Sequence, residues 1–439
     1  MNVYIETLGC PKNSVDSGNM AAVLENGGNR ITDDPAEADV LIVNTCAFIN
    51  DAKEESIATI FEMAEIKNEY GNKILAVTGC LPQRYSEELF KEIPEADIFI
   101  GVNEYGRINE ILAEYASEKR LLRVSRAPEV YSELPYRTGV SGSVTAYLKV
   151  AEGCDNSCSY CIIPAVRGPY RSRKKEDIIF EAVSLAEAGT KELVLIAQDT
   201  TAYGKEIYGE YALSRLLNEL CAIDGIRWIR LLYCYEDSIT DELIETIRSQ
   251  EKICKYIDIP LQHINDRILG DMNRRSTSDS IKQVISRLRI AIPEIHIRTT
   301  FITGFPGETE EEFAELEEFI KYARFERLGV FAYSQEENTV AGEMDGQVDD
   351  ITKEERRDAL MELQRSISLE LNREKVGRIF EVLAEEQEDD GTWTGRTAFD
   401  APEIDNNVIF TSEYDIEAGT FVNVRINDAF DYDLTGETV

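Results

Sequence analysis

Over the first 136 residues, short apolar runs alternate with stretches of helical spacing, a pattern that predicts a parallel α/β unit. Three of those runs end in the same way. Val3-Tyr-Ile-Glu-Thr-Leu-Gly-Cys10, Asp39-Val-Leu-Ile-Val-Asn-Thr-Cys46 and Lys73-Ile-Leu-Ala-Val-Thr-Gly-Cys80 each place a cysteine just past the C-terminal end of a predicted strand. That edge of an open parallel sheet is where ligands bind, so neighbouring strands would bring three thiols together from distant parts of the chain. Ile98–Gly101 predicts a further strand, and 125–137, with Pro128 and Pro135, reads as an extended linker.

From 145 to 344 the alternation becomes regular. Strands predicted at 145–150, 192–198, 226–233, 256–262, 296–304 and 327–334 are separated by helical patterns rich in Glu, Ile and Leu, such as 175–188 and Ser278–Ala291. Six βα units are too few for a closed eight-fold barrel. Residues 350–377 are heavily charged but carry Leu360, Leu363, Ile367 and Leu371 at helical spacing, which predicts a connecting helix. Strand signals at 378–384, 391–397, 407–410 and 420–426, punctuated by Gly377, Gly391 and Gly419, predict a small β-barrel.

Composition narrows the function classes. At 439 residues with 43% hydrophobic content, more than one well-cored domain is expected. The net charge of −37 disfavours strong nucleic-acid binding, which depends on Lys and Arg neutralising phosphates, and favours a basic protein as partner. The bias is steep at the end of the chain, where 374–439 holds 4 basic and 17 acidic residues. No apolar run approaches the roughly 20 residues that span a bilayer, and no basic-then-apolar leader opens the chain; a soluble, cytoplasmic monomer is expected. An odd count of nine cysteines argues against a disulfide framework and for metal or redox chemistry.

The densest candidate chemistry is Ala151-Glu-Gly-Cys154-Asp-Asn-Ser-Cys158-Ser-Tyr-Cys161, a loop that follows the first strand of the regular region. Three thiolates turned to one point select zinc or an iron–sulfur cluster. A zinc knuckle needs a fourth ligand; the chain has two histidines and no fourth ligand nearby. A cubane on three thiolates keeps one iron open for a small molecule. Cys10, Cys46 and Cys80 repeat the count, against the plainer alternative of inert buried thiols. Other strand ends carry Gln198-Asp199-Thr200-Thr201, Gln262-His263 and Ile302-Thr-Gly304-Phe-Pro-Gly307-Glu308-Thr309, with Arg298 and Thr300 inside the last strand. The Gly304–Gly307 turn either lets backbone approach a ligand or simply begins the next helix, for which Thr309 and Glu312 form a capping-box pattern. His263 and His296 read as structural.

With Tyr160 directly before its last cysteine, the CxxxCxxC loop resembles the signature of the radical S-adenosylmethionine (SAM) enzymes. Nearly the whole chain resembles the methylthiotransferase family of those enzymes: a three-cysteine domain, a radical SAM core and a TRAM domain, in that order. Gly9-Cys10-Pro-Lys-Asn13, Asn44-Thr-Cys46-Ala-Phe-Ile49, Cys161-Ile-Ile-Pro164 with Arg167-Gly168, and Phe399-Asp-Ala-Pro-Glu-Ile-Asp405 favour one branch. That branch modifies an aspartate of ribosomal protein S-twelve; its sister modifies an adenosine in tRNA. Asn406 stands where glycine is expected, and Asn tolerates the same turn.

The resemblance implies an N-terminal open parallel α/β domain at 1–136, a central partial (βα)6 barrel at 137–345, a connecting helix at 346–373 and a C-terminal β-barrel at 374–439. It implies that Cys154, Cys158 and Cys161 hold a 4Fe–4S cluster that cleaves SAM to a deoxyadenosyl radical. Cys10, Cys46 and Cys80 would hold an auxiliary 4Fe–4S cluster carrying the sulfur to be donated. One SAM methylates that sulfur; a second yields the radical that takes hydrogen from the aspartate β-carbon, where the methylthio group is placed. The cofactors then carry the reactive species, and no side chain is assigned as catalytic. Tyr160, Gln198, Gln262, Arg298, Gly304, Phe305 and Pro306 are the expected SAM contacts. The sequence names neither the sulfur source nor the electron donor. Asp400, Glu403 and Asp405 are expected to dock the basic substrate protein. The rival readings are the tRNA enzyme and a non-catalytic, zinc-stabilised interaction protein.

Overall fold

Strands covered by helices on both faces must be apolar on both faces, and the run Val40–Thr45 is buried at every position. In the computed structural model, which describes residues 1–71, 73–131 and 143–439, this run is the third strand of the chain and pairs at the middle of a parallel sheet. The six strands are β1 (Asn2–Thr7), β2 (Arg30–Ile31), β3 (Val40–Thr45), β4 (Ile74–Gly79), β5 (Ile98–Gly101) and β6 (Leu121–Arg123), in spatial order β2-β1-β3-β4-β5-β6. Because β1, β3 and β4 are neighbours, the three cysteine-bearing strand ends lie side by side. The short edge strands β2 and β6 carry too few apolar residues to announce themselves in the sequence. Part of the linker expected at 125–137, including Pro135 and the 136/137 boundary, lies outside the described residues; 124–131 is neither helix nor strand.

The central sheet is also all parallel. It comprises β7 (Thr145–Lys149), β10 (Glu192–Ile196), β11 (Trp228–Leu231), β12 (Ile253–Gln262), β13 (His296–Thr303) and β14 (Arg327–Ala332), each laid beside its predecessor in an open, partial barrel. Two short antiparallel strands, β8 (Ala151–Glu152) and β9 (Arg171–Ser172), flank the CxxxCxxC loop. The helix Asp350–Arg373 packs Leu360 and Ile367 into the core on the outer face of this sheet.

The chain closes with a five-stranded barrel of β15 (Ile379–Gln387), β16 (Trp393–Thr397), β17 (Val408–Thr411), β18 (Phe421–Ala429) and β19 (Leu434–Thr438). The fifth strand went unpredicted because Leu434-Thr-Gly-Glu-Thr holds one apolar residue. This barrel plugs one end of the concave face of the central sheet: Leu383 and Ala401 pack against Val194, Trp228 and Tyr256, with Val15 of the N-terminal domain in the same cluster.

The seam is also ionic. Buried Glu192 bonds both Arg230 at 2.8 Å and Arg396 at 2.7 Å, Asp400 pairs with Arg327, and Asp405 accepts from the Tyr256 hydroxyl at 2.6 Å. These contacts correct the docking expectation. Asp400 and Asp405 are committed to the central domain, and of the three acidic residues only Glu403 is exposed. A count of charges along a sequence does not show which acids already have a partner. Among the described residues, no helix is long and apolar enough to cross a membrane.

Candidate active site

The CxxxCxxC loop has no regular structure, yet it is held from several sides. Cys154 N–H donates to Gly168 O at 3.1 Å and Cys161 N–H to Cys158 O at 3.1 Å. Ser159 N–H donates to Met272 O, Ala341 N–H to Ser159 O, and the Asn273 amide to Ser157 O at 2.7 Å. Gly153 begins the loop at φ +79°, where a Cβ would stand 2.1 Å from Pro169 O; no other residue fits. Burial pushes the Cys154 thiol up to about 11 and the Cys161 thiol up to about 12, and each is raised further by charge on Cys158. Free thiolates are therefore disfavoured here, and a cluster taking these sulfurs as ligands would have to displace their protons.

The second set of thiols is built by the three adjacent strand ends. Cys10 is the N-cap of the helix Pro11–Asn26, and Cys80 is the first residue of the helix Cys80–Glu92. Asn13 ties the ends together, donating to Leu8 O at 2.8 Å and Thr45 O at 3.0 Å, while the Asn44 amide donates to Asn13 O. Burial pushes the Cys80 thiol up to about 11 against the pull of Arg167, and Cys10 and Cys46 both bear on it. Each set is thus three soft donors within electrostatic reach of one another, a chemistry that fits an iron–sulfur cluster. Among the described residues, no group of three or more His, Cys, Asp or Glu side chains is drawn close enough together to hold a metal ion.

Between the two sets lies a buried ion network that sequence reading missed. Arg167, six residues past Cys161, donates to Asp16 at 2.8 Å, Glu152 at 3.1 Å, Asn13 at 2.6 Å and the Cys80 sulfur at 3.4 Å. Lys149 binds Asp16 and Glu152 from the other side. Although burial alone would raise it, Arg167 and Lys149 hold the Glu152 carboxyl well below the usual carboxylate range. The available signal was Lys149 and Glu152 beside an apolar strand, three residues apart, where buried charge demands partners.

The expected SAM contacts separate in space. Gln198 joins the network, donating to Glu152 at 2.6 Å. Tyr160 belongs to the thiol loop, its hydroxyl 3.5 Å from Arg274. Gln262 ends β12 in a left-handed conformation, φ +71°, and is half-buried. Arg298 is bound at 2.9 Å by Asp258 and lies 3.4 Å from Asp405, within the seam to the C-terminal barrel. Phe305 is fully buried edge-on against Tyr333, and Pro306 is buried beside it. At Gly304 the close neighbour is the chain itself, since a Cβ would stand 2.2 Å from the Lys353 side chain, and its N–H donates to Glu308 at 3.0 Å. The capping box of Thr309 and Glu312 begins the helix Glu310–Ala323. His263 accepts from Asn265 N–H at 3.0 Å, and His296 stacks on Phe399 at 4.1 Å.

A sheet whose first strand leads into three loop thiols, with a second thiol set across a buried network, defines a class: residues 148–320 match the Radical SAM superfamily, which implies SAM and a 4Fe–4S cluster. Residues 2–101 match Uncharacterized protein family UPF0004, and 376–439 match the TRAM domain. The TsrM methyltransferase of Kitasatospora setae, a radical SAM protein, shares the fold at TM-score 0.58 and 14% identity, covering 78% of this chain and 73% of that one. The cobalamin-dependent radical enzyme OxsB does so at TM-score 0.54, covering 83% and 56%. Much nearer in sequence is the ribosomal protein uS12 methylthiotransferase RimO of Clostridioides difficile (strain 630), 50% identical over 439 residues, 100% of this chain and 99% of that protein. Its counterpart in Thermoanaerobacter sp. (strain X514) is 51% identical over 436 residues, 99% of each. The chain belongs to this RimO family of radical SAM methylthiotransferases.

Proposed function

We propose that this protein places a methylthio group on the β-carbon of an aspartate of ribosomal protein uS12. The observation that carries the reading is the pairing of two three-thiol sites across one buried ion network, each at the C-terminal edge of a parallel sheet. Cys154, Cys158 and Cys161 hold a 4Fe–4S cluster with SAM, and Cys10, Cys46 and Cys80 hold an auxiliary one. When bound, these groups supply the electron, the carbon radical and the methylated sulfur, chemistry beyond any side chain.

The chain's own residues do the positioning. Arg167 and Lys149, with Asp16 and Glu152, fix the N-terminal domain against the barrel, so the distance between the two sites is set by a buried lattice of charge. In this reading Tyr160 and Gln198 line the SAM side, and Phe305, Pro306 and Gly304 shape the turn behind it. The working units are 1–136, 137–345 and 374–439, with 346–373 as the connecting helix, acting in the cytoplasm where ribosomal proteins are made.

The test is mass spectrometry of uS12 and of tRNA after anaerobic incubation with reconstituted enzyme, SAM and a reductant. Modified uS12 and untouched tRNA support the reading; modified tRNA alone would overturn it. Iron should stand at about eight per chain and fall to about four when Cys154, Cys158 and Cys161 are replaced by alanine, the count for two independent cubanes.

A further inference from the structure

Lys12 is the second residue of the helix Pro11–Asn26, two positions after Cys10, and only 7% of it is exposed. Among the described residues its ammonium makes no hydrogen bond and no ion pair; it rests over the ring of Tyr233, 2.8 Å from the centroid. The neighbouring cations are all paired: Lys149 and Arg167 with Asp16 and Glu152, and Arg298 with Asp258. The neighbouring carboxylates are therefore already taken. Asp258, whose charge bears on Lys12, accepts from Arg298 through one oxygen and from the Tyr233 N–H at 2.9 Å through the other.

This is an expensive place for a free cation. Burial disfavours the ammonium; the Cys10 sulfur, Asp258 and Glu152 attract it, yet among the described residues none of them forms an ion pair with it. The first turn of a helix adds the unfavourable positive end of the dipole, and a cation–π contact offsets only part of that cost. The ring beneath it is fixed: Tyr233 follows β11 in a left-handed conformation, φ +60°, and its carbonyl accepts from Thr200 N–H at 2.9 Å. Lys12 thus projects from the N-terminal domain, beside Cys10, onto a ring at the strand ends of the central barrel. It stands at the junction of the two halves of the proposed site.

We infer that Lys12 is the specificity-determining contact for the substrate, its ammonium receiving the side-chain carboxylate of the aspartate that is modified. The inference rests on the function proposed above. A carboxyl carbon is bonded directly to the β-carbon, so a clamp on the carboxylate fixes the C–H bond one bond away. It also removes the penalty of burying an anionic side chain between two sites lined by thiolates. The Tyr233 ring then acts as the wall that sets the ammonium's position. A neutral side chain in place of the aspartate leaves the ammonium unmatched and is rejected.

The experiment measures binding of labelled uS12, and of uS12 with its target aspartate replaced by asparagine, to the reconstituted holoenzyme. Wild type should prefer the aspartate form by roughly 10- to 100-fold, the worth of a charge-assisted bond. Lys12→Met should abolish that preference and raise KM while leaving iron, sulfide and the EPR signals of both clusters unchanged; Lys12→Arg should restore part of it. An intact preference in Lys12→Met overturns the inference alone. Loss of iron from the Cys10, Cys46 and Cys80 site in Lys12→Met also overturns it, assigning the ammonium to the cluster. If wild type modifies tRNA and not uS12, the functional reading falls first and takes the inference with it.

Discussion

Gly79 shows how much of the geometry of the second three-cysteine set hangs on one atom's absence. It precedes Cys80 at φ +100°, and a Cβ there would stand 2.5 Å from Asn44 Oδ1 and 2.6 Å from Thr45 O, the residues leading to Cys46. Gly79→Ala should therefore strain the strand ends by about 1–3 kcal/mol and push Cys46 and Cys80 apart. The expected result is loss of about half the iron, with the cluster of Cys154, Cys158 and Cys161 retained. His296 offers a titration at the same scale. Burial, with Lys375 and Arg327 beside it, holds the imidazole well below its ordinary value, and its buried Nε2 has no hydrogen-bond partner among the described residues. The unfolded chain takes up a proton below about pH 6.5 while the folded one does not, so stability falls by about 1.4 kcal/mol per unit as pH drops below that value. His296→Phe, which keeps the stack on Phe399, should flatten the difference in urea stability between pH 7.5 and 5.5 relative to wild type.

Among elements, the short helix Ile163–Arg167 joins the two thiol sites, because its last residue binds Asp16, Glu152, Asn13 and the Cys80 sulfur at once. Arg167→Met leaves two buried carboxylates with Lys149 as the one cation paired with them among the described residues, beside the neutral donors Gln198 and Tyr105. Breaking a buried ionic set in this way costs about 3–5 kcal/mol, measurable by denaturant unfolding, and Arg167→Lys should recover only part of it because a lysine lacks the fork. This scale also separates what pattern reading reaches from what it misses. Alternating and continuous apolar runs located every long strand of both parallel sheets, and Thr309 with Glu312 announced a helix start that the structure contains. β2 and β6 escaped because two or three residues carry no period, and β19 because it holds one apolar residue in five. Arg298 is bound by Asp258, and Gly304 backs onto Lys353; a strand position shows which face a side chain takes, not which neighbour fills the space before it.

For the whole molecule, the acidic C-terminal barrel is a structural partner of the central domain. Asp400 sits with Arg327 and Lys375; burial would raise its carboxyl, but these cations hold it well below the usual range. Its contribution is present at all pH values above the unfolded carboxylate pKa of about 4 and is lost as pH falls below it. Asp400→Asn should weaken the seam by about 3 kcal/mol or more. Hydrogen exchange should then quicken in 374–439 at neutral pH while the strands of the N-terminal sheet stay protected. Acidification of the wild type should loosen the same seam.

Taken alone, the sequence determined the order of two parallel α/β units and a β-barrel, and that six cysteines follow strand ends in two sets of three, because strand period and cysteine position are local properties that survive in one dimension. Only the tertiary structure decided which charges cancel. Asp16 and Arg167 are 151 positions apart, and Arg327 and Asp400 are 73 apart; nothing local marks them as pairs, since pairing depends on which surfaces the folded domains bury together. The same holds for Lys12, whose lack of an ion pair among the described residues is visible only once the neighbouring carboxylates have been seen to have partners.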